Sequence, residues 1–417
     1  MINYKKARSI LKNSKINIGN ELLNTNRCLN RVVAKNIYVK TYYPSENNAA
    51  FDGFVVNSNE TKKLSNKFTK KFKIIGSIAA GNKPIKKAIK KFNTIEIMTG
   101  GLIPKSFDAI VPIEKVEFYP NKNKAKYIIL NQRVRKYSHV RFKGSDYKKN
   151  DLLIKKGTII QSNHILALKT LGITKVKVKK LPNIIFFSTG NEISNKKRIN
   201  KWQVRNSNND YIHSLNQSFL FNFKDGGILR DNHSNLFKSK IKKILNSKID
   251  IILTSGAVSA GKFDFIPKVI REFELSNYFK SVYIRPGKPV LFAKIKGKNK
   301  VIFGLPGNPI SSSACFRFFV YPYIKNLLDM PEEIPFKAIL KNGFVKKKEF
   351  TRFVKSKIYT TKNGKAHVEI LKGQESFRIR SFIQSNAWVM LPSGKSSFKK
   401  GDVVDCFFPN NPNKIFL

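Results

Sequence analysis

Acidic residues are scarce: 26 Asp and Glu stand against 80 Lys and Arg in 417 residues, a formal charge of +54. Such an excess invites a nucleic-acid partner, because clustered cations bind phosphate backbones. The distribution argues otherwise. Lysines are spread over almost every segment beside abundant Asn and Ile, the drift an AT-rich genome would produce, so only weak, salt-sensitive adhesion to polyanions is expected. Cysteine is equally sparse: Cys28, Cys315 and Cys406 lie far apart with no CxxC pair, and read as buried or incidental thiols of a reducing cytoplasm. Five histidines, His164, His213 and His233 among them, show no metal spacing, which argues against a zinc site. No apolar run approaches the roughly 18–20 residues of a membrane span. The N-terminal MINYKKARSILKN lacks the apolar core of a secretory signal. No Ser/His/Asp nucleophile set and no internal repeat is visible.

The chain is long enough for two to four domains. It opens with a helix and an extended stretch to residue 43. From 44 to 146, short alternating runs separated by Gly, Pro and Asn indicate a β-rich unit, with Asp52-Gly53 as a turn signal. Its lysine-rich stretches KKLSNKFTKKFK and KPIKKAIKKF read as solvated surface. Residues 147–181 supply a strand and a helix over Ser162–Thr170 ended by Gly172, expected to pack back on the N-terminal helix. That makes 1–43 plus 147–181 one discontinuous domain, with 44–146 inserted. From 182 to 328 strand, loop and helix alternate: IIFFS, a helix carrying Ile212, Leu215, Phe219 and Phe223 that stops at Gly226-Gly227, IILTS, FIPKVIREF, VLFAKI, VIFGL and a helix from Ser311. Alternating βα units imply a parallel sheet with helices on both faces and a ligand beyond the carboxyl ends of its strands. Residues 329–417 return to short strands, a C-terminal β domain.

The glycine-rich turns fall at those strand ends. VIFGLPGNPISS (301–312), SGAVSAGKFD (255–264) and FFSTGNE (186–192) each place a buried strand before a Gly-fixed loop, which exposes backbone N–H groups to an anion. Gly256 to Lys262 matches the first seven positions of a Walker A loop, but Phe263 stands where Ser or Thr must hold Mg²⁺, so a P-loop is rejected; an anion loop or a merely structural turn remains. Glu192 and Asp264 sit beside these loops. Carboxylates there suit a hard divalent cation, and Asp264 could equally cap a helix; Asp231 is a third candidate. Arg285 and Lys288 flank Pro286-Gly287 and could converge on one oxyanion. The chemistry so assembled is electrostatic, with cations and metal stabilising anionic oxygens.

In this order, the segments NNAAFDGFVV, IEIMTGGLIPKSFDAIVPIE, VRFKGSDYKKNDLLIKKGT, FFSTGNEI, SNN at 207–209, LTSGAVSAGKFD, IRPGKPVLF, FGLPGNPISS, LKGQES and SNAWVMLPSG resemble the molybdopterin molybdenumtransferase family, MoeA and the gephyrin E domain. The resemblance implies an α/β and β multidomain protein. Its parts are a central MogA-like domain, an inserted β-rich domain, a small helical and extended N-terminal domain and a C-terminal barrel-like domain. It implies insertion of molybdate into adenylylated molybdopterin with Mg²⁺-dependent release of AMP, in a cytoplasmic homodimer whose active sites are shared between subunits. It also implies contact with molybdopterin adenylyltransferase and with molybdoenzyme maturation factors. Carried over by position, Asp52, Thr99 and Asp146 come from the partner's inserted domain. Glu192, Asp231 and Asp264 hold metal and the nucleotide side. Ser259, Gly261, Arg285, Lys288, Pro289, Ser311, Arg352 and Ser376 bind the substrates.

Several positions depart from the family pattern. Arg285 stands where Lys is usual, Ala49 and Phe54 where Ser and Tyr are usual, Ala257 and Ala260 in the glycine-rich loop, and Asn191 and Asn232 at two positions commonly acidic. The two lost carboxylates would weaken Mg²⁺ binding. A MogA-type adenylyltransferase is the nearest alternative, opposed by the β domains and the QES and LPSG segments. A non-catalytic scaffold and a polyanion-binding protein are the others.

Overall fold

A computed structural model describes residues 1–83, 89–216, 220–258 and 265–409. The chain divides into two compact units: Met1–Lys35 with Lys156–Ile165 and Thr174–Leu417, and Asn36–Lys155 with Leu166–Ile173.

The larger unit is built on a six-stranded sheet in the order Asn222–Leu229, Asn183–Thr189, Ile251–Ser255, Val301–Leu305, Leu291–Ile295, Leu275–Lys280. Alternate residues of its strands face opposite layers. Ile184, Phe186, Ile251, Leu253, Val301 and Phe303 pack with Ile212 and the Ile310–Leu328 helical run. Ile185, Phe187, Ile252 and Ile302 pack with Phe237 and Ile241 on one helix and Ile266 and Ile270 on another. The helices therefore cover both faces, and the first four strands of the order are parallel. The fifth is reversed: Leu291–Ile295 runs antiparallel to Val301–Leu305 and to Leu275–Lys280, so the sixth again points the way of the first four. The turn KGKNK between the first two is too short for the dozen or more residues that a parallel crossover needs. A second correction falls at Phe223. The helix ends as Ser207–Leu215, and Phe223 lies in the edge strand Asn222–Leu229, which continues past Gly226-Gly227 with a bulge there: Asp225 faces Phe186 and Ile228 faces Ser188. Glycine is required there because a Cβ on Gly226 would stand 2.4 Å from the Phe187 ring. Phe219 lies outside the described residues.

The N-terminal helix Tyr4–Asn13 is capped by Asn3, whose side chain accepts the Lys6 N–H. Strand Lys175–Lys179 pairs antiparallel with Asn20–Asn24. The helix docks on the run that follows the last parallel strand: Pro309–Cys315, a wide turn Phe316–Val320, and Tyr321–Leu327. Pro322 has no N–H to offer the carbonyl four residues back. That carbonyl, on Phe318, accepts from Tyr4 Oη (3.4 Å) and Arg8 Nη1 (3.3 Å). The Tyr4 ring meets Phe319 and Phe353 edge-on.

Beyond residue 335, Phe336–Leu340, Thr351–Thr360, Ala366–Ile370, Ala387–Leu391 and Val403–Phe407 close into a five-stranded barrel, because Thr351–Thr360 pairs with both Ala366–Ile370 and Ala387–Leu391. A two-residue strand, Ile284–Arg285, joins its edge beside Thr351–Arg352. Cys28, Cys315 and Cys406 are free and buried.

The smaller unit holds a six-stranded sheet, Ala109–Pro112, Gly53–Val56, Asn93–Ile97, Lys70–Ile78, Tyr127–Leu130, Glu117–Tyr119. Both faces are apolar: Phe54, Val56, Phe72 and Ile128 on one, Val55, Ile95, Ile97 and Ile110 on the other. Asp52-Gly53 is not a hairpin turn, since the strands flanking Gly53–Val56 are Asn93–Ile97 and Ala109–Pro112, distant in sequence. Lys62, Lys63, Lys70 and Lys71 are exposed, as a solvated stretch should be, whereas residues 84–88 of the second lysine-rich run fall outside the described residues.

Candidate active site

In the larger unit four strand ends meet. Gly190 N–H donates to the Leu229 carbonyl (3.0 Å), Thr189 Oγ1 to Ser255 O (2.9 Å) and Gly256 N–H to Leu305 O (2.9 Å). Asn208 Nδ2 ties Ser255 Oγ (2.6 Å) to Gly307 O (2.8 Å). These bonds bring the turns after the parallel strands into one cleft of about 390 Å³, lined by Thr189, Glu192, Asp231, Gly256, Pro289 and Asn308 among others. Pro289 reaches it because Leu291–Ile295 runs antiparallel to its neighbour, so its N-terminal end lies where the other strands finish.

Glu192 and Asp231 therefore share a wall. Arg230 fixes the turn that carries Glu192, its Nη1 donating to the carbonyls of Gly190 (3.1 Å), Asn191 (2.8 Å) and Ile193 (2.9 Å). Asn191 Oδ1 accepts the Asp231 N–H (3.2 Å), so the residue in the commonly acidic position stitches the two acid-bearing turns together. The Glu192 carboxylate folds over Gly190, where φ is +141° and a Cβ would stand 2.4 Å from it. Among the described residues no cation lies within 4 Å of either carboxylate, in a chain with 80 cations. Hard oxygen donors without a protein counter-ion suit a divalent cation such as Mg²⁺.

The cationic side is built on the barrel edge. Arg285 and Arg352 are register partners across the short parallel pairing. Burial first, then the adjacent Arg285 charge, pulls the Arg352 guanidinium below its ordinary value. Neither arginine, nor Lys288, is among the residues that line the cleft. The Arg285 guanidinium also lies 4.8 Å from the Phe350 ring centroid. Lys288 is exposed on the same turn, and its carbonyl accepts from Val282 N–H. Ser376 stands at the rim of the cleft, its Oγ accepting from Asn308 Nδ2 (3.1 Å). Ser311 is 5% exposed and does not line the cleft. Ser259, Gly261 and Asp264 lie outside the described residues.

In the smaller unit Asp52 and Thr99 meet directly: Thr99 N–H (2.6 Å) and Oγ1 (2.7 Å) both donate to Asp52 Oδ1. The backbone bond first, then the hydroxyl, holds the Asp52 carboxyl below its usual range, so it stays ionised at neutral pH. Asp146 is exposed in the same unit, its N–H on the Tyr43 carbonyl. Sequence reasoning passed over Arg230, Asn208 and Asn308. Asn208 and Asn308 lay inside quoted motifs, but their roles are hydrogen bonds to turns remote in sequence.

An α/β sheet with a carboxylate-walled cleft beyond its parallel strand ends, followed by a closed β barrel bearing paired arginines, defines the class as a multidomain α/β and β protein. Family comparison sharpens this. Residues 2–172 match the MoeA N-terminal region (domain I and II), 185–326 a probable molybdopterin binding domain, and 337–407 the MoeA C-terminal region (domain IV). The chain is 30% identical over 410 residues to a molybdopterin molybdenumtransferase of Staphylococcus epidermidis, covering 97% of this chain and 94% of the relative. It is also 30% identical over 383 residues to one of Staphylococcus aureus, covering 91% and 88%. A solved molybdopterin biosynthesis MoeA protein of Pyrococcus horikoshii superposes with a TM-score of 0.83 at 28% identity, covering 99% of this chain and all of that one. The chain belongs to the MoeA family of molybdopterin molybdenumtransferases.

Proposed function

We propose that this protein inserts molybdate into adenylylated molybdopterin and releases AMP. The observation that carries the reading is the convergence of Glu192, Asp231 and the strand-end turns on one cleft, in a chain aligned almost end to end with molybdenumtransferases. Glu192 and Asp231 would hold Mg²⁺, which, when bound, neutralises phosphate charge and eases departure of the nucleotide. Arg285, Arg352 and Lys288 seat molybdate, a tetrahedral dianion that bidentate guanidinium donors suit. Ser376 offers a hydroxyl to the same anion.

The working form in this reading is a homodimer, in which Asp52, Thr99 and Asp146 of one subunit complete the cleft of the other. It receives substrate from a molybdopterin adenylyltransferase and passes product to molybdoenzyme maturation factors. A cytoplasmic location accords with the absence, among the described residues, of a helix long and apolar enough to cross a membrane. The test supplies adenylylated molybdopterin, molybdate and Mg²⁺ and follows AMP. Wild type should release it, and Asp231→Asn should slow release about 100-fold at unchanged melting temperature. Turnover of ATP with free molybdopterin, and none with the adenylylated form, would transfer the protein to the adenylyltransferase class.

A further inference from the structure

We propose that Lys355 is the positioning residue that presents Ser376 to the cleft. Lys355 lies on the barrel strand Thr351–Thr360 and is wholly buried, 0% exposed. An ammonium so placed must find acceptors to offset its lost hydration. It finds three, all in one short segment: the carbonyls of Gly373 (2.8 Å), Glu375 (3.2 Å) and Arg378 (3.0 Å). The same residue is gripped from its backbone. Gln374 Oε1 accepts the Lys355 N–H (2.9 Å), and Gln374 Nε2 donates to the Lys355 carbonyl (2.8 Å) and to Leu371 O (2.7 Å).

Residues 373–378 belong to no strand or helix. Their conformation is set by these bonds and by Ser381 Oγ, which donates to the Gly373 carbonyl (2.6 Å). Ser376 sits in the middle of the segment, and its Oγ meets Asn308 of the cleft. Lys355 thus reaches the cleft through the loop it holds, without touching a ligand. The inference rests on the reading that Ser376 contacts molybdate.

Lys355→Met keeps the stem and removes the donors; Lys355→Arg keeps donors and charge. Hydrogen exchange of the 373–378 amides reads the loop directly, and molybdate KM and kcat read its consequence. In Lys355→Met, exchange at 373–378 should rise about tenfold or more while the amides of Ala387–Leu391 and Val403–Phe407 keep their protection, and molybdate KM should rise about tenfold with kcat within about threefold. Lys355→Arg should recover most of both. Unchanged exchange at 373–378, or an equal loss of protection through the barrel, overturns the proposal. Should Lys355→Met not fold, Gln374→Ala, which removes only the backbone grip, should give the same localised rise, and its absence counts equally against the clasp. Ser376→Ala separates the two readings: it should raise molybdate KM with exchange unaltered. An unaffected KM there removes the role of Ser376 while leaving the exchange result to decide that of Lys355.

Discussion

Asp329 shows how one acid is used in a chain where acids are rare. Its backbone is left-handed, φ +57°, just beyond the helix Tyr321–Leu327, and its side chain is 16% exposed. Lys15, Lys179 (2.7 Å) and Lys156 (2.9 Å) converge on its two oxygens, drawing together segments from three parts of the larger unit. Burial alone would raise its pKa; the hydrogen bonds from Lys15, Lys179 and Lys156 outweigh that and hold the carboxyl well below the ordinary 3.8. A carboxylate depressed in the folded state contributes stability that is complete above its unfolded pKa and is lost as pH falls toward the folded value. Asn tolerates the left-handed conformation, so Asp329→Asn isolates the charge. At pH 7 it should destabilise the larger unit by about 2–3 kcal/mol, seen as a lower denaturation midpoint. The gap from wild type should narrow once pH drops below about 4. A midpoint unmoved at pH 7 would mean that the three lysines are as well off in water.

At the level of the element, the break at Phe316–Val320 has a local cause with a distant effect. Pro322 leaves the Phe318 carbonyl without its helical donor, and Tyr4 and Arg8 take the vacancy. Tyr4→Phe should therefore cost about 0.5–1 kcal/mol in the native background and markedly less beside Pro322→Ala, where the helix can supply its own N–H. Equal costs in a double-mutant cycle would mean that the hydroxyl's contribution is independent of the carbonyl that Pro322 frees. The same contrast between local and remote determinants marks what the sequence made legible. Apolar runs such as IIFFS and IILTS announced buried strands, and Gly-rich turns after them announced the cleft, because both signals are contained within a few residues. The antiparallel pair around KGKNK could have been read from its length. The bulged passage of a strand through Gly226-Gly227 could not, since what demands glycine at 226 is the ring of Phe187 on a neighbouring strand. Glu192 and Asp231 stood out because acids are few. Lys355 did not, because a buried lysine looks like any other in a chain with 80 cations until the strand is folded beside its loop.

For the whole molecule, a net charge of +54 works against self-association unless specific contacts overcome the repulsion, so the proposed dimer is best tested through its chemistry. Asp52, an ionised carboxylate held by two hydrogen bonds from Thr99, is exposed on the smaller unit, and Glu192 and Asp231 wall a cleft of the larger one. In the shared-site reading, Asp52→Asn disables the cleft of the opposite subunit and Glu192→Gln disables its own. Each variant alone then has two broken sites per dimer. A mixed dimer has one site carrying both changes and one carrying neither. Random pairing makes half the dimers mixed, so an equimolar co-expression should recover about a quarter of wild-type AMP release. The mixed dimers, isolated through two different affinity tags, should show about half. Sites completed within a single subunit would recover nothing in either preparation, and the level of recovery therefore reports directly where the acidic residues meet.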